Sequence, residues 1–142
     1  MVNSRAKGAR GEREAAAKLT EWTGIQWRRG ISQSRHGGAE GADVEPESDH
    51  IVWSRLHVEV KRGKRIDVAA AMEQARRDAS ARTYEDRPLI PVVLYRADHK
   101  KWTVQIEVGA SFDLAGVAPE LTALHFPMAP ASMLAHYFFR NF

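Results

Sequence analysis

Apolar positions follow two rhythms along this chain. Between residues 4 and 23, Ala15, Ala16, Leu19 and Trp22 recur at helical spacing, which predicts an amphipathic helix with one stripe turned to a core. Asn3 or Ser4 can cap its start, and Gly24 stands where a glycine ends a helix. Residues 25–29 read as a short strand, and residues 30–42, rich in Gly, Ser and His, as a loop. A second strand begins at Asp43-Val44-Glu45, residues 46–49 carry turn chemistry, and a third strand runs from Val52 to Lys61. Its last part alternates cleanly: Leu56, Val58 and Val60 share one face, and His57, Glu59 and Lys61 the other.

The second half repeats both rhythms. Asp67 is a candidate N-cap for a helix to about Ala81, with Val68, Ala71, Met72, Ala75 and Ala79 as its stripe. Residues 89–95 are almost continuously apolar, which predicts a central strand covered on both faces. Residues 102–108 alternate as an edge strand, and residues 130–139 suggest a short helix. The order is α-β-β-β-α-β-β. The strand ending at Lys61, the following helix and the strand from Leu89 form a β-α-β unit, which is right-handed and parallel by rule. The expected fold is therefore α/β, a mixed sheet flanked by helices on both faces.

Composition narrows the function. With 142 residues the chain fits one domain with a core about 5–108, and residues 109–142 form a tail without a clear role. The absence of cysteine excludes a disulfide scaffold, a thiolate zinc site and a cysteine nucleophile. No apolar run approaches the ~18 residues of a membrane span, and the charged N-terminus lacks the apolar stretch of a secretory signal. The expected compartment is the cytoplasm. Charge is unevenly spread: residues 1–37 hold eight Lys/Arg against three Glu, a net +5, and the remainder carries −2. A basic N-terminal quarter suits a polyanion, and equally a solvated helix face.

Several acidic positions stand out. Glu12 precedes Ala15 and Ala16 by one turn, so it lies at the edge of the apolar stripe, where a carboxylate is costly unless a charge meets it. Glu14 is spaced to pair with Lys18. Gly8, a turn before Glu12, leaves room for a backbone or ligand. Glu59 and Lys61 share a strand face with Cα atoms roughly 6.5–7 Å apart. If residues 46–50 turn a hairpin, Asp43 comes beside Glu59, and paired carboxylates of this kind hold divalent cations such as Mg²⁺. Glu-x-Lys on a solvated face also pairs charges and does nothing else. Glu45 is an alternate ligand, Gln74 and His36 read first as surface residues, and His57 as a satisfied neighbour of Glu59. Zinc is not expected, since no His-x-x-x-His pair exists, and no Walker A pattern is present.

Taken together, Gly41-Ala42-Asp43-Val44 and Glu59-Val60-Lys61, with 15 residues between Asp43 and Glu59, resemble the PD-(D/E)XK nuclease superfamily. Lys7-Gly8 followed by Glu12-Arg13-Glu14 is similar to the K-G-x-x-x-E-R-E first-helix motif of the archaeal and phage-type Holliday junction resolvases. That group also carries an arginine after the first strand, matched by Arg28 or Arg29. The resemblance spans about residues 5–108. It implies a restriction-endonuclease-like core and a Mg²⁺-dependent DNA endonuclease of recombination and repair, with Mn²⁺ able to substitute. Asp43, Glu59, Glu12 and the Val60 carbonyl would organise the metal, and Lys61 would act on the attacking water or the phosphate. Lys7, Arg10, Arg13, Arg28, Arg29 and Arg35 would contact DNA. The implied substrate is a four-way junction. Cutting it symmetrically needs two active sites and hence a homodimer, for which the apolar tail (Met133, Leu134, Tyr137, Phe138, Phe139, Phe142) offers a surface; the same tail equally suits a cap on the monomer's own core. Alternatives are a nuclease of this fold acting on other DNA (restriction-type, nicking or single-strand), and a DNA-binding module without cleavage.

Overall fold

In the computed structural model, residues 4–30, 41–106, 131–134 and 139–140 are described. Helix α1 (Ser4–Thr23) leads to strands β1 (Trp27–Arg29) and β2 (Val44–Pro46). A 3₁₀ turn (Trp53–Arg55) precedes β3 (Leu56–Gly63), then α2 (Val68–Ser80). Strands β4 (Thr83–Tyr84), β5 (Arg87–Pro88), β6 (Ile90–Ala97), β7 (Thr103–Ile106) and β8 (Ala131–Leu134) follow. Six of them form one mixed sheet in the order β1-β2-β3-β6-β7-β8. Its central pair, β3 and β6, is parallel, with Glu59 opposite Val93 and Lys61 opposite Tyr95. The other pairings are antiparallel.

The alternation of β3 sorts its side chains between two layers. Leu56, Val58 and Val60 pack with Ala15, Ala16 and Leu19 of α1, while Ala71, Met72 and Ala75 of α2 meet Val93 on the opposite face. β6 is buried on both sides, as its continuous apolar run implies. The hand-over from α1 to β1 is built from side chains. Gly24 adopts φ +77°, a left-handed conformation that glycine takes without strain. The Thr20 hydroxyl accepts the Trp27 N–H at 3.0 Å, and the Thr23 hydroxyl accepts the Trp27 indole N–H at 2.9 Å.

Some expectations are corrected. The stretch from Val52 does not begin as a strand: His50 Nδ1 accepts the N–H groups of Val52 and Trp53, each at 3.2 Å, and holds a 3₁₀ turn until Leu56. β7 is an interior strand, because β8 pairs along its other side. Residues 131–134 are thus a strand where a helix was expected: the unpaired ladder of β7 supplies partners that local pattern does not reveal. The β4–β5 hairpin turns through Glu85 and Asp86, both at positive φ (48° and 61°), without the Asn-Gly signal that marks such turns. Of the tail's apolar residues, Phe139 is fully buried and stacks on Trp22, with ring centroids 6.1 Å apart, while Trp53 lies at 5.4 Å. Tyr137, Phe138 and Phe142 lie outside the described residues.

Candidate active site

Strand direction gathers the acidic residues at one end of the sheet. β2 runs antiparallel to both β1 and β3, so its start, next to Asp43, meets the ends of β1 at Arg29 and of β3 near Lys61. The N-terminal half of α1 crosses the same end. There Glu14 pairs with Arg62 at 3.3 Å and with Arg96, and its carboxylate also accepts the Trp102 indole N–H at 3.3 Å. Glu14 therefore does not pair with Lys18, which bonds Glu21 at 3.2 Å: two arginines fixed on the sheet outcompete one exposed lysine on the helix. Nothing lies against Gly8 among the described residues; the close approach is at Gly11, where a Cβ would meet Arg62 Cβ at 3.4 Å.

Asp43 stands just before β2 and completes its ladder with both backbone and side chain. Its N–H donates to the Val58 carbonyl at 2.9 Å, and its Oδ2 accepts the Val60 N–H at 2.7 Å. Because an extended residue directs its N–H and C=O to the same edge, the Val60 carbonyl faces Asp43 as well. The Asp43 carbonyl accepts the Gly30 N–H at 2.9 Å. A side chain at position 30 would clash, since a Cβ there would fall 1.9 Å from the Ala42 carbonyl oxygen.

Glu59 lies on the α2 face of β3 and accepts a hydrogen bond from Lys61 Nζ at 2.8 Å. Asp43 is 8% exposed and Glu59 2%, so the pair sits largely out of water. Burial, and then the charge of Asp43, push the Glu59 carboxyl up to about 7 against the pull of Lys61. Burial alone would lower the Lys61 ammonium, but its bond to Glu59 and the charges of Glu59, Asp43 and Glu12 outweigh this and hold it above its ordinary value. Lys61 thus feels all three carboxylates. Gln74 Oε1 on α2 also accepts from Lys61 Nζ at 3.5 Å, so this glutamine is not a plain surface residue.

Glu12 is half-buried, as its place on the helix stripe requires, and the charge that meets it is Arg29, whose Nε donates at 2.6 Å. Arg28 is engaged by Glu45, its Nε donating to a Glu45 carboxylate oxygen at 3.3 Å. Lys7, Arg10 and Arg13 are exposed on α1. Arg35 and His36 lie outside the described residues. His57 departs from expectation. It is fully buried, and neither ring nitrogen has a hydrogen-bond partner among the described residues. Burial, with Arg82 nearby, lowers its pKa to about 4, so the ring is neutral at physiological pH. Asp78 of α2, which the sequence reading did not single out, joins His57 and Glu59 in one group. Its signal is the spacing from Gln74, four residues on and on the same helix face.

A buried Glu59 whose ionisation the neighbouring Asp43 makes costlier fits a divalent cation, and the oxygen donors of the two carboxylates, with a backbone carbonyl at the same edge, are those of a hard-cation site. A mixed sheet with this Asp…Glu-x-Lys cluster at one end defines a PD-(D/E)XK-type nuclease. The comparison with protein families agrees. The model of the family described as "Phage putative PDDEXK endonuclease" matches residues 3–120, and the chain belongs to that family. No curated protein and no solved structure matches the chain. Among the described residues no helix is long and apolar enough to cross a membrane.

Proposed function

We propose that this endonuclease is a Mg²⁺-dependent, structure-specific enzyme that hydrolyses phosphodiesters in branched DNA, with the four-way junction as its first substrate. The observation that carries the catalytic part is the arrangement in which Asp43 Oδ2 holds the Val60 N–H while Glu59 holds Lys61. Asp43, Glu59 and the Val60 carbonyl would hold Mg²⁺ (or Mn²⁺), with Glu12 beside them. When bound, the cation supplies charge stabilisation to the phosphate under attack.

The chain's own residues supply the rest. Lys61 is fixed between Glu59 and Gln74, so its ammonium keeps its proton and donates to the attacking water or a phosphate oxygen without a search among rotamers. Glu59 anchors that lysine through one oxygen. Arg29, steadied by Glu12, borders the same end and presents a guanidinium to the backbone phosphates. Lys7, Arg10 and Arg13 extend the basic track along α1, where they attract DNA without reading sequence.

The junction preference is supported by the first-helix motif and the basic N-terminal quarter. Paired cuts across a junction require two such sites, and we infer a C2 homodimer. The test is single-turnover cleavage with Mg²⁺ on a junction, a duplex, a flap and a single strand, beside a mass measurement in solution. Junction cleavage by a dimer, abolished in Asp43→Asn with junction affinity kept, is expected. Preferential cutting of duplex, flap or single strand assigns the enzyme to another substrate. Cleavage by Asp43→Asn at the parent rate places the active site elsewhere.

A further inference from the structure

We infer that the α2 face of β3 holds a second cation site, formed by His57, Glu59 and Asp78, that takes a divalent transition metal such as Mn²⁺ or Zn²⁺. It rests on the reading above only in sharing Glu59 with the proposed nuclease site.

The placement follows from the β-α-β unit. Helix α2 runs back over the sheet antiparallel to β3. Gln74 therefore stands over Lys61 near the end of the strand, and Asp78, one turn later, stands over His57 and Glu59 nearer its start. Each of these three residues offers a ligand atom, and those atoms all lie within 4.8 Å of one another. Nitrogen and oxygen ligands about 2.1 Å from one cation lie roughly 3–4 Å apart, so closure onto a metal requires side-chain adjustment of less than about an ångström per atom.

The state of His57 points to a ligand. The ring is 0% exposed, it faces two carboxylates, and both nitrogens are without a partner among the described residues. A buried imidazole left in this state is costly, and a metal bond would satisfy one nitrogen outright. The donor set is one imidazole and two carboxylates. A neutral imidazole favours transition metals over Mg²⁺, whose preference is for oxygen. The two carboxylates match the charge of a divalent ion. Arg82, whose Nη1 is likewise buried without a partner among the described residues, adds one opposing positive charge nearby.

The test uses the full chain stripped of metal and titrated with Mn²⁺ alone. Electron paramagnetic resonance counts the bound ion, and its pulsed form detects coupling to the ¹⁴N of a coordinated imidazole. Parent protein and Asp43→Asn should both bind Mn²⁺ with ¹⁴N coupling, because Asp43 is no part of this group. Asp78→Asn should weaken that binding at least tenfold, and His57→Gln should abolish the coupling. Should His57→Gln fail to fold by circular dichroism, the partly exposed Asp78→Asn carries the test. Bound Mn²⁺ without nitrogen coupling, no binding at all, or loss in Asp43→Asn with none in Asp78→Asn overturns the site. The last of these outcomes leaves the nuclease site standing, and failure of Asp43→Asn to affect cleavage leaves this one standing.

Discussion

Replacing Glu59 by Gln removes a charge that the fold holds at a cost while conserving shape. In the cation-free protein this carboxyl is shifted from 4.5 to about 7, chiefly by burial and then by Asp43. At ~1.36 kcal/mol per unit, ionising it inside the fold costs on the order of 3 kcal/mol more than in the unfolded chain. The folded pKa lies above the unfolded one. The parent's stability from this group is therefore complete below pH 4.5 and is lost as pH rises through about 7. The glutamine variant has no such loss. In EDTA at pH 8.5, Glu59→Gln should be more stable than the parent by about 2–3 kcal/mol, a rise in Tm on the order of 5–10 °C. At pH 4.5 the two should nearly coincide, since the parent's carboxyl is then neutral too. His57, lowered to about 4, acts in the opposite sense as pH falls below 6.5, but it is common to both proteins and cancels in the difference. Saturating Mn²⁺ at pH 8.5 should reverse the order, because only the parent offers the carboxylate. Urea melts across pH 4.5–8.5 measure all of this. A variant less stable than the parent at pH 8.5 without metal, or a gap that does not change with pH, refutes the account of Glu59 as a strained, buried charge.

Other outcomes follow from the same geometry. Lys61→Ala should slow single-turnover cleavage by on the order of 10²–10⁴-fold, with DNA affinity in a parallel titration changed far less. Phe139→Ala empties the space between Trp22, Trp27 and Trp53 and should cost about 3–5 kcal/mol in a urea melt. Gly30→Ala forces a carbon to within 1.9 Å of the Ala42 oxygen. It should destabilise by roughly 1–3 kcal/mol and, by displacing Asp43, depress cleavage more than binding. DNA affinity should fall linearly on a log–log plot against salt, and Arg13→Ala should reduce the slope by about 1.

What the chain determined by itself is what depends on neighbours in sequence. The limits of α1 and α2 follow from the apolar stripes, the Asp67 cap on Ala70 N–H at 2.9 Å and the glycine at position 24. The two faces of β3 follow from strict alternation, and the parallel β3–β6 pair follows from the helical crossover between the two strands. The faces taken by Glu12, Glu59 and Lys61 were legible for the same reason: Glu-x-Lys shares a face on any strand, and Glu12 sits on the apolar side of any helix drawn through Ala15, Ala16 and Leu19, whereas Asp43 reaches Glu59 only through the pairing of β2 with β3. Tertiary structure decided which partner each group met. Glu14 chose Arg62 and Arg96 over Lys18, Arg29 took Glu12 while Arg28 took Glu45, and residues 131–134 became a strand because β7 offered an open ladder. The group of His57, Glu59 and Asp78 is the extreme case. One strand and the helix packed over it supply its members, 20 residues lie between the first and the last, and only the antiparallel passage of α2 over β3 brings a second carboxylate to a buried ring. Local periodicity states which face a side chain takes, and the distance between faces is set when the layers pack.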